Sequence, residues 1–168
     1  LEGTGGIANR IQAYETYHNI TFPRTFRVVT NMLSLFNSEA KIFAAAVKEA
    51  GLDVGVIVID TLAQSAPGSD ENSSADMGRI ISNAQLLQRE TNGLVVLIHH
   101  TGKDASRGAR GHSSLFAALD AAIEVKRPAS GREWHIHKVK DGEDGVITPF
   151  RLEHVVMGTD EDGDEISS

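Results

Sequence analysis

Residues 54–60, Val54-Gly55-Val56-Ile57-Val58-Ile59-Asp60, end an apolar run on a carboxylate, and Thr61 follows it. A carboxylate held at the end of a buried strand can orient a water on Mg²⁺, the arrangement known as Walker B. An aspartate in that position can equally do no more than cap the loop after it. A second apolar run, residues 94–98, ends on His99-His100. Neighbours on an extended chain point to opposite faces, so one histidine faces a site while the other packs or bonds behind the sheet. His135 and His137 share a face, but two histidines without a third ligand are weak grounds for zinc. Lys138 and Lys140 also lie two apart, just before Asp141-Gly142. Their like charges favour an anionic partner close by, or they are lysines that protect a solvated edge strand from aggregation.

The elements that must position these groups follow from periodicity and punctuation. Ile7, Ile11, Tyr14 and His18 recur at helical spacing after Gly5-Gly6, which suits an amphipathic helix. Phe26-Arg27-Val28-Val29, after Pro23, is a short strand candidate. Ser38 is placed to cap a helix that runs to Gly51, with Ile42, Phe43, Ala46, Val47 and Ala50 on its apolar positions. The run ending at Asp60 has no polar alternation, so it predicts a strand buried on both faces, as in a parallel sheet covered by helices. A polar loop over 66–74, a helix over 75–92 and a second buried strand over 94–98 come next. Residues 101–112 hold three glycines with Lys103, Arg107 and Arg110, and they read as an exposed, mobile loop. A short helix from Ser113 leads to a strand over 121–125. Residues 132–140 and 146–155 alternate around a turn at 141–145 and predict an antiparallel hairpin. Alternation of helix and buried strand predicts an α/β layered fold with a mostly parallel sheet. Ligands of such folds bind at the carboxyl ends of the strands, where Asp60 and His99-His100 stand.

Length and composition narrow the classes. The 168 residues are 40% apolar and 23% charged, enough for one domain with a core. Net charge is −7, but residues 159–168 hold five acids and no base, which leaves −2 for the rest. That excludes a strongly basic coat for nucleic acid, though not a local basic path. The acidic end reads as a disordered tail after a single domain over 1–158. The absence of cysteine excludes a disulfide framework, a zinc–thiolate site and a thiol nucleophile. No apolar run reaches the ~20 residues of a membrane helix, and no signal pattern opens the chain. A cytoplasmic protein with no membrane partner is therefore expected, its true start upstream of Leu1. Gly3-Thr4-Gly5-Gly6 is not a phosphate loop, since no Gly-Lys-Ser/Thr follows, and no Walker A signature occurs elsewhere.

Four motifs in order carry a resemblance: residues 56–63 around Asp60, Asp70-Glu71-Asn72 ahead of Ala75-Asp76-Met77, Ile98-His99-His100-Thr101-Gly102-Lys103, and residues 107–114. Together they resemble the RecA-like ATPases of the RepA type, hexameric replicative helicases of plasmids and phages related to the DnaB class. The similarity extends to about residue 158. It implies a RecA-like, P-loop NTPase fold with a C-terminal antiparallel hairpin, here without the Walker A strand and loop, which would precede Leu1. It also implies ATP and Mg²⁺ as cofactors, single-stranded DNA as partner and a homo-hexamer. By resemblance, Asp60 is the Walker B aspartate and metal ligand, with Thr61 beside it at the nucleotide. Glu2 stands where the family places the glutamate that polarises the attacking water. His100, or else His99, falls at the γ-phosphate sensor. Lys138 and Lys140 match the Lys-x-Arg pair that reaches the neighbouring subunit's nucleotide. Lys140 departs from that pattern, giving charge without the planar fork of an arginine. Lys103, Arg107 and Arg110 match the DNA-facing loop.

The expected function is thus an ATP-dependent DNA helicase motor, with these 168 residues inactive alone for want of a phosphate cradle. Two other classes compete with it. One is a non-catalytic RecA-like module that assembles with ATPases or loads replication or recombination proteins. The other is a metal-dependent phosphohydrolase built on Asp60 and His99-His100.

Overall fold

The computed structural model describes residues 4–100, 113–159 and 162–168. Among them the order of elements is α1 (Thr4–His18), α2 (Glu39–Glu49), β1 (Val56–Asp60), α3 (Ser74–Thr91), β2 (Leu94–Ile98), α4 (Ser113–Ala118), β3 (Ala121–Lys126), β4 (Arg132–Val139), β5 (Ile147–Phe150), β6 (Val156–Thr159) and β7 (Glu165–Ser167). The chain divides into two compact units. One comprises Leu1–Thr30, Glu124–His135 and Val146–Ser168, and the other Asn31–Ile123 and Ile136–Gly145.

The second unit holds the parallel pair. β1 and β2 run in register from Val56 opposite Leu94 to Asp60 opposite Ile98. Helices α2 and α3 cover one face, and Leu35, Ala40, Ala44, Ile59, Met77, Ile80 and Leu87 form the buried centre. Each helix end has a local cause. Asn37 Oδ1 accepts from the Glu39 N–H at 2.8 Å, and Glu39 in turn accepts from the Ser34 N–H at 2.8 Å. Bonds from the Asn37 side chain and the Ser34 backbone hold the Glu39 carboxyl below its ordinary range. Ser38, the expected cap, occupies the N-cap position but makes no side-chain bond there. Gly51 stops α2 in the left-handed region, at φ +62°. Ser73 caps α3 by accepting from the Asp76 N–H at 3.3 Å, and Asn92 closes it at φ +56°. Asn83, midway along α3, donates to the carbonyls of Leu35 and Asn37, which ties the 35–37 turn to the helix.

Gly93 leads directly into β2, and a Cβ there would sit 2.9 Å from both the Val54 carbonyl oxygen and Val54 Cγ1. The carbonyl belongs to the backbone feeding β1 and cannot rotate away. Gly93→Ala is therefore expected to destabilise the protein by roughly 1–3 kcal/mol, as overpacking does. A urea midpoint equal to that of the parent would show that the two strand entries can part without cost.

In the first unit, α1 and β6 are neighbours. β6 pairs antiparallel with β7, with an irregularity between Val156 and Gly158. β4 and β5 pair antiparallel from Arg132 opposite Phe150 to His135 opposite Ile147. Trp134 and Phe150 meet edge to face, their centroids 5.7 Å apart.

Several expectations are corrected. β1 and β2 form a two-stranded parallel sheet by themselves; β3, expected in the same sheet, belongs to a separate one ordered β3-β4-β5. The β1 run was expected to be buried on both faces, yet Val56, Val58 and Leu94 are 56–59% exposed. A continuous apolar run fixes the demand for two covered faces, and the described helices meet that demand on one. Phe26–Val29 is not a strand: β propensity becomes a strand only where a partner completes the ladder. The hairpin's second arm is shorter than 146–155, ending at Phe150. The acidic end, expected to be disordered, contains β7, joined to the β6 side by reciprocal bonds between Val155 and Ser168 at 2.9 and 3.1 Å. Main-chain pairing needs no apolar side chain, so composition alone does not exclude it. No helix among the described residues is long and apolar enough to cross a membrane.

Candidate functional site

The parallel pairing decides where the chemistry-bearing side chains meet. Asp60 closes β1 beside Ile98, and the Leu62 N–H donates to the Ile98 carbonyl at 2.8 Å. The chain leaving Asp60 is thereby held against the chain that enters His99-His100. The Asp60–Thr61 peptide is cis. Thr61 is buried, and its hydroxyl accepts from the Gln64 N–H at 3.4 Å. The following turn is closed by Ser65, whose N–H donates to the Thr61 carbonyl at 3.0 Å and whose hydroxyl donates to the Leu62 carbonyl at 2.9 Å. These bonds fix the backbone on which Asp60 stands, while its carboxylate is exposed.

His99 and His100 separate as extended geometry requires: His99 is half-buried with Nδ1 wholly enclosed, and His100 is exposed. Asp60, Thr61, His99 and His100 thus share the carboxyl edge of the β1–β2 pair. His100 is the histidine free to meet a ligand outside that edge without moving the core.

Lys138 in β4 and Lys140, which lies in the turn just after β4 rather than in the strand expected over 132–140, have other partners. Lys138 Nζ donates to the Phe116 and Ala117 carbonyls, both at 3.0 Å, and lies 5.5 Å from the Phe116 ring centroid. The last carbonyls of α4 lack intrahelical donors, and the ammonium group satisfies them. Lys140 pairs with Asp120 at 3.5 Å, and its N–H donates to the Asp120 carbonyl at 2.8 Å. An exposed pair of this kind contributes about 0–1 kcal/mol, so a stronger anion can displace it. Asp120 is not legible as a functional residue in sequence, since a lone acid ahead of a strand gives no signal. His135 bonds Glu133 at 2.9 Å, and the described residues include no group of three metal-ligating side chains. Glu2, Lys103, Arg107 and Arg110 lie outside the described residues.

A divalent cation is a reasonable guest at the strand edge. Asp60 offers exposed hard oxygen on a backbone held by the β1–β2 register and the hydrogen bonds of Leu62 and Ser65, which suits Mg²⁺ bound largely through water. Thr61 is less available, its hydroxyl being engaged in the turn. A cavity of about 190 Å³ lies at the loop after Asp60, lined by Leu62, Ala66, Pro67, Glu71, Met77 and Ile80 among others. It is smaller than the ~300–1,000 Å³ of ordinary ligand sites and has no cationic lining. Phosphates are therefore not cradled there.

A family model described as an AAA domain matches residues 1–106. No curated protein matches the chain.

Proposed function

Because the chain belongs to the AAA domain family, a family of nucleotide-binding ATPases, we propose that it forms the Walker B side of an ATP site in a DNA motor. In this reading, RecA-like subunits assemble as a homo-hexamer that translocates on single-stranded DNA, as RepA-type helicases do. The observation that carries the proposal is the exposed Asp60 carboxylate at the carboxyl end of a parallel strand, opposite Ile98, with which β2 ends two residues before His100. Mg²⁺ held there would supply positive charge against the nucleotide's phosphates. Asp60 would hold the ion's waters, and Glu2 would polarise the attacking water. His100 would bond the γ-phosphate, with His99 fixing the strand end behind it. Lys138 and Lys140 would bring positive charge to the neighbouring protomer's nucleotide, Lys140 after exchanging Asp120 for phosphate. Lys103, Arg107 and Arg110 would meet DNA phosphates.

These 168 residues contain no Gly-Lys-Ser/Thr loop, the motif that would cradle the phosphates. Taken alone, they are expected to show no micromolar ATP affinity, because loop amides and a lysine make most phosphate contacts. The motor itself is tested by ATP turnover in a protein that joins these residues to such a loop. Stimulation by single-stranded DNA is expected, with loss of that stimulation in the Lys103→Glu/Arg107→Glu double variant. Turnover indifferent to DNA would leave an ATPase that is not a DNA motor. One observation favours a second reading, a non-catalytic module that assembles with other ATPases: Lys138 and Lys140 are both already engaged within their own chain. Stable assembly with unimpaired partners and no Asp60 dependence would support that reading.

A further inference from the structure

The protein has nine aromatic residues, and four of them, Tyr14, Tyr17, Phe22 and Phe26, fall within thirteen consecutive positions. With His18 they form one unbroken string of rings. Centroids are 5.0 Å apart from Tyr17 to His18, 4.2 Å from His18 to Tyr14, 5.4 Å from Tyr14 to Phe22 and 4.7 Å from Phe22 to Phe26. The backbone fixes this string independently of the rings. The Ile20 N–H donates to the Glu15 carbonyl at 3.1 Å, the Phe22 N–H to the Glu15 carboxylate at 2.7 Å, and the Phe26 N–H to the Pro23 carbonyl at 2.9 Å. A ring cluster whose purpose was to close a small core would hide its faces. Here Tyr14 and Phe26 are 48% exposed and Tyr17 is 58% exposed.

The segment that carries the string differs in charge from the chain as a whole, although β6, the neighbour of α1, leads into the acidic 159–168 end. Residues 4–30 carry three arginines, no lysine and one acid, a balance of +2 in a protein of −7. The one acid, Glu15, is occupied by the Phe22 N–H. Arg24 and Arg27, either side of the Phe26 ring in sequence, are exposed and make no ion pair among the described residues. Such a face suits a polyanion that also presents flat rings. Arginine both pairs with phosphate and stacks on bases, and exposed aromatic rings take up bases whatever their sequence. A second copy of the same face would bring these arginines against one another, which argues against self-association here. Duplex DNA hides its base faces, whereas an unpaired strand presents them.

We propose that the aromatic string on α1 and the segment after it, flanked by Arg24 and Arg27, is a stacking surface for single-stranded DNA. The inference takes its partner from the motor reading and adds what residues 101–112 lack, since they include no phenylalanine, tyrosine or tryptophan. It is tested on the full 168-residue chain, by fluorescence anisotropy with oligothymidylate, an abasic oligomer of equal length and a duplex. Tyr17→Ala and Phe26→Ala remove rings at the edges of the string, so folding is preserved, as circular dichroism would verify. Each is expected to weaken oligothymidylate binding roughly 5- to 150-fold, the equivalent of a stacked base, with affinity for the abasic oligomer unchanged. Arg24→Glu/Arg27→Glu should weaken both ligands and flatten the salt dependence. Ring variants that bind as tightly as the parent, or a parent that binds duplex equally well, would overturn the surface. Loss of binding only in Lys103→Glu/Arg107→Glu would do the same while sparing the motor. A parent with no DNA affinity would overturn the surface too, and Asp60-dependent ATP turnover would then show separately whether the ATPase assignment survives.

Discussion

Asp60→Asn is expected to lower Mg²⁺-dependent ATP turnover roughly a hundred- to a thousandfold, the scale of removing one preorganised electrostatic group from a reacting site. The expectation applies to a protein that joins these residues to a phosphate loop. The carboxylate is exposed and holds no bond that the fold depends on, while the backbone carrying it is fixed by Leu62, Ser65 and the register with Ile98. Asparagine keeps the shape and one oxygen but removes the charge that orders a hydrated cation. Stability should therefore change by no more than about 0.5 kcal/mol, as for other surface changes. Turnover close to that of the parent, at equal Mg²⁺, would remove Asp60 from the site and with it the Walker B assignment.

The second large effect is on the fold. Leu87→Ala is expected to cost about 2–5 kcal/mol, the range for truncating a fully enclosed leucine. Leu87 is wholly buried on α3 in the same cluster as Ile59, Leu62, Met77 and Ile80, and Val95 and Leu97 of β2 pack against that cluster. The cavity left by its side chain would lie beneath the strands that end at Asp60 and His99, so stability and site geometry are linked there. Against a typical total of ~5–15 kcal/mol, such a loss is a large fraction. Gln85→Ala, exposed on the same helix, should leave the denaturation midpoint nearly unchanged. Equal midpoints for the two variants would mean that α3 is not clamped to β2 as described.

The aromatic string and the Lys138/Lys140 pair illustrate opposite limits of sequence reasoning. The ring types at 14, 17, 22 and 26 are plain in the sequence, but helical spacing assigns Tyr14 to a buried face. Only the return of residues 19–26 onto α1 shows that the rings meet each other with half their surface open. For Lys138 and Lys140 the spacing correctly gives two cations near a turn. The carbonyls of Phe116 and Ala117 that bind Lys138 lie more than twenty residues away, and no local pattern announces them.

Much of the secondary structure was determined by the sequence alone. The α2 and α3 helices, the β1 and β2 strands and their stops follow from apolar period, β-branched content and Gly51, Ser73, Asn92 and Gly93, all of which act within a few residues. So does the placing of a carboxylate and two histidines at strand ends, because alternation along an extended chain is a property of the backbone. The tertiary structure alone decided which strands pair. It put β3 with β4, gave the acidic end a partner in β6 and left one face of the β1–β2 pair uncovered among the described residues. Strand pairing is a competition among distant segments for the same backbone donors and acceptors, and hydrophobic period carries no address for the winner.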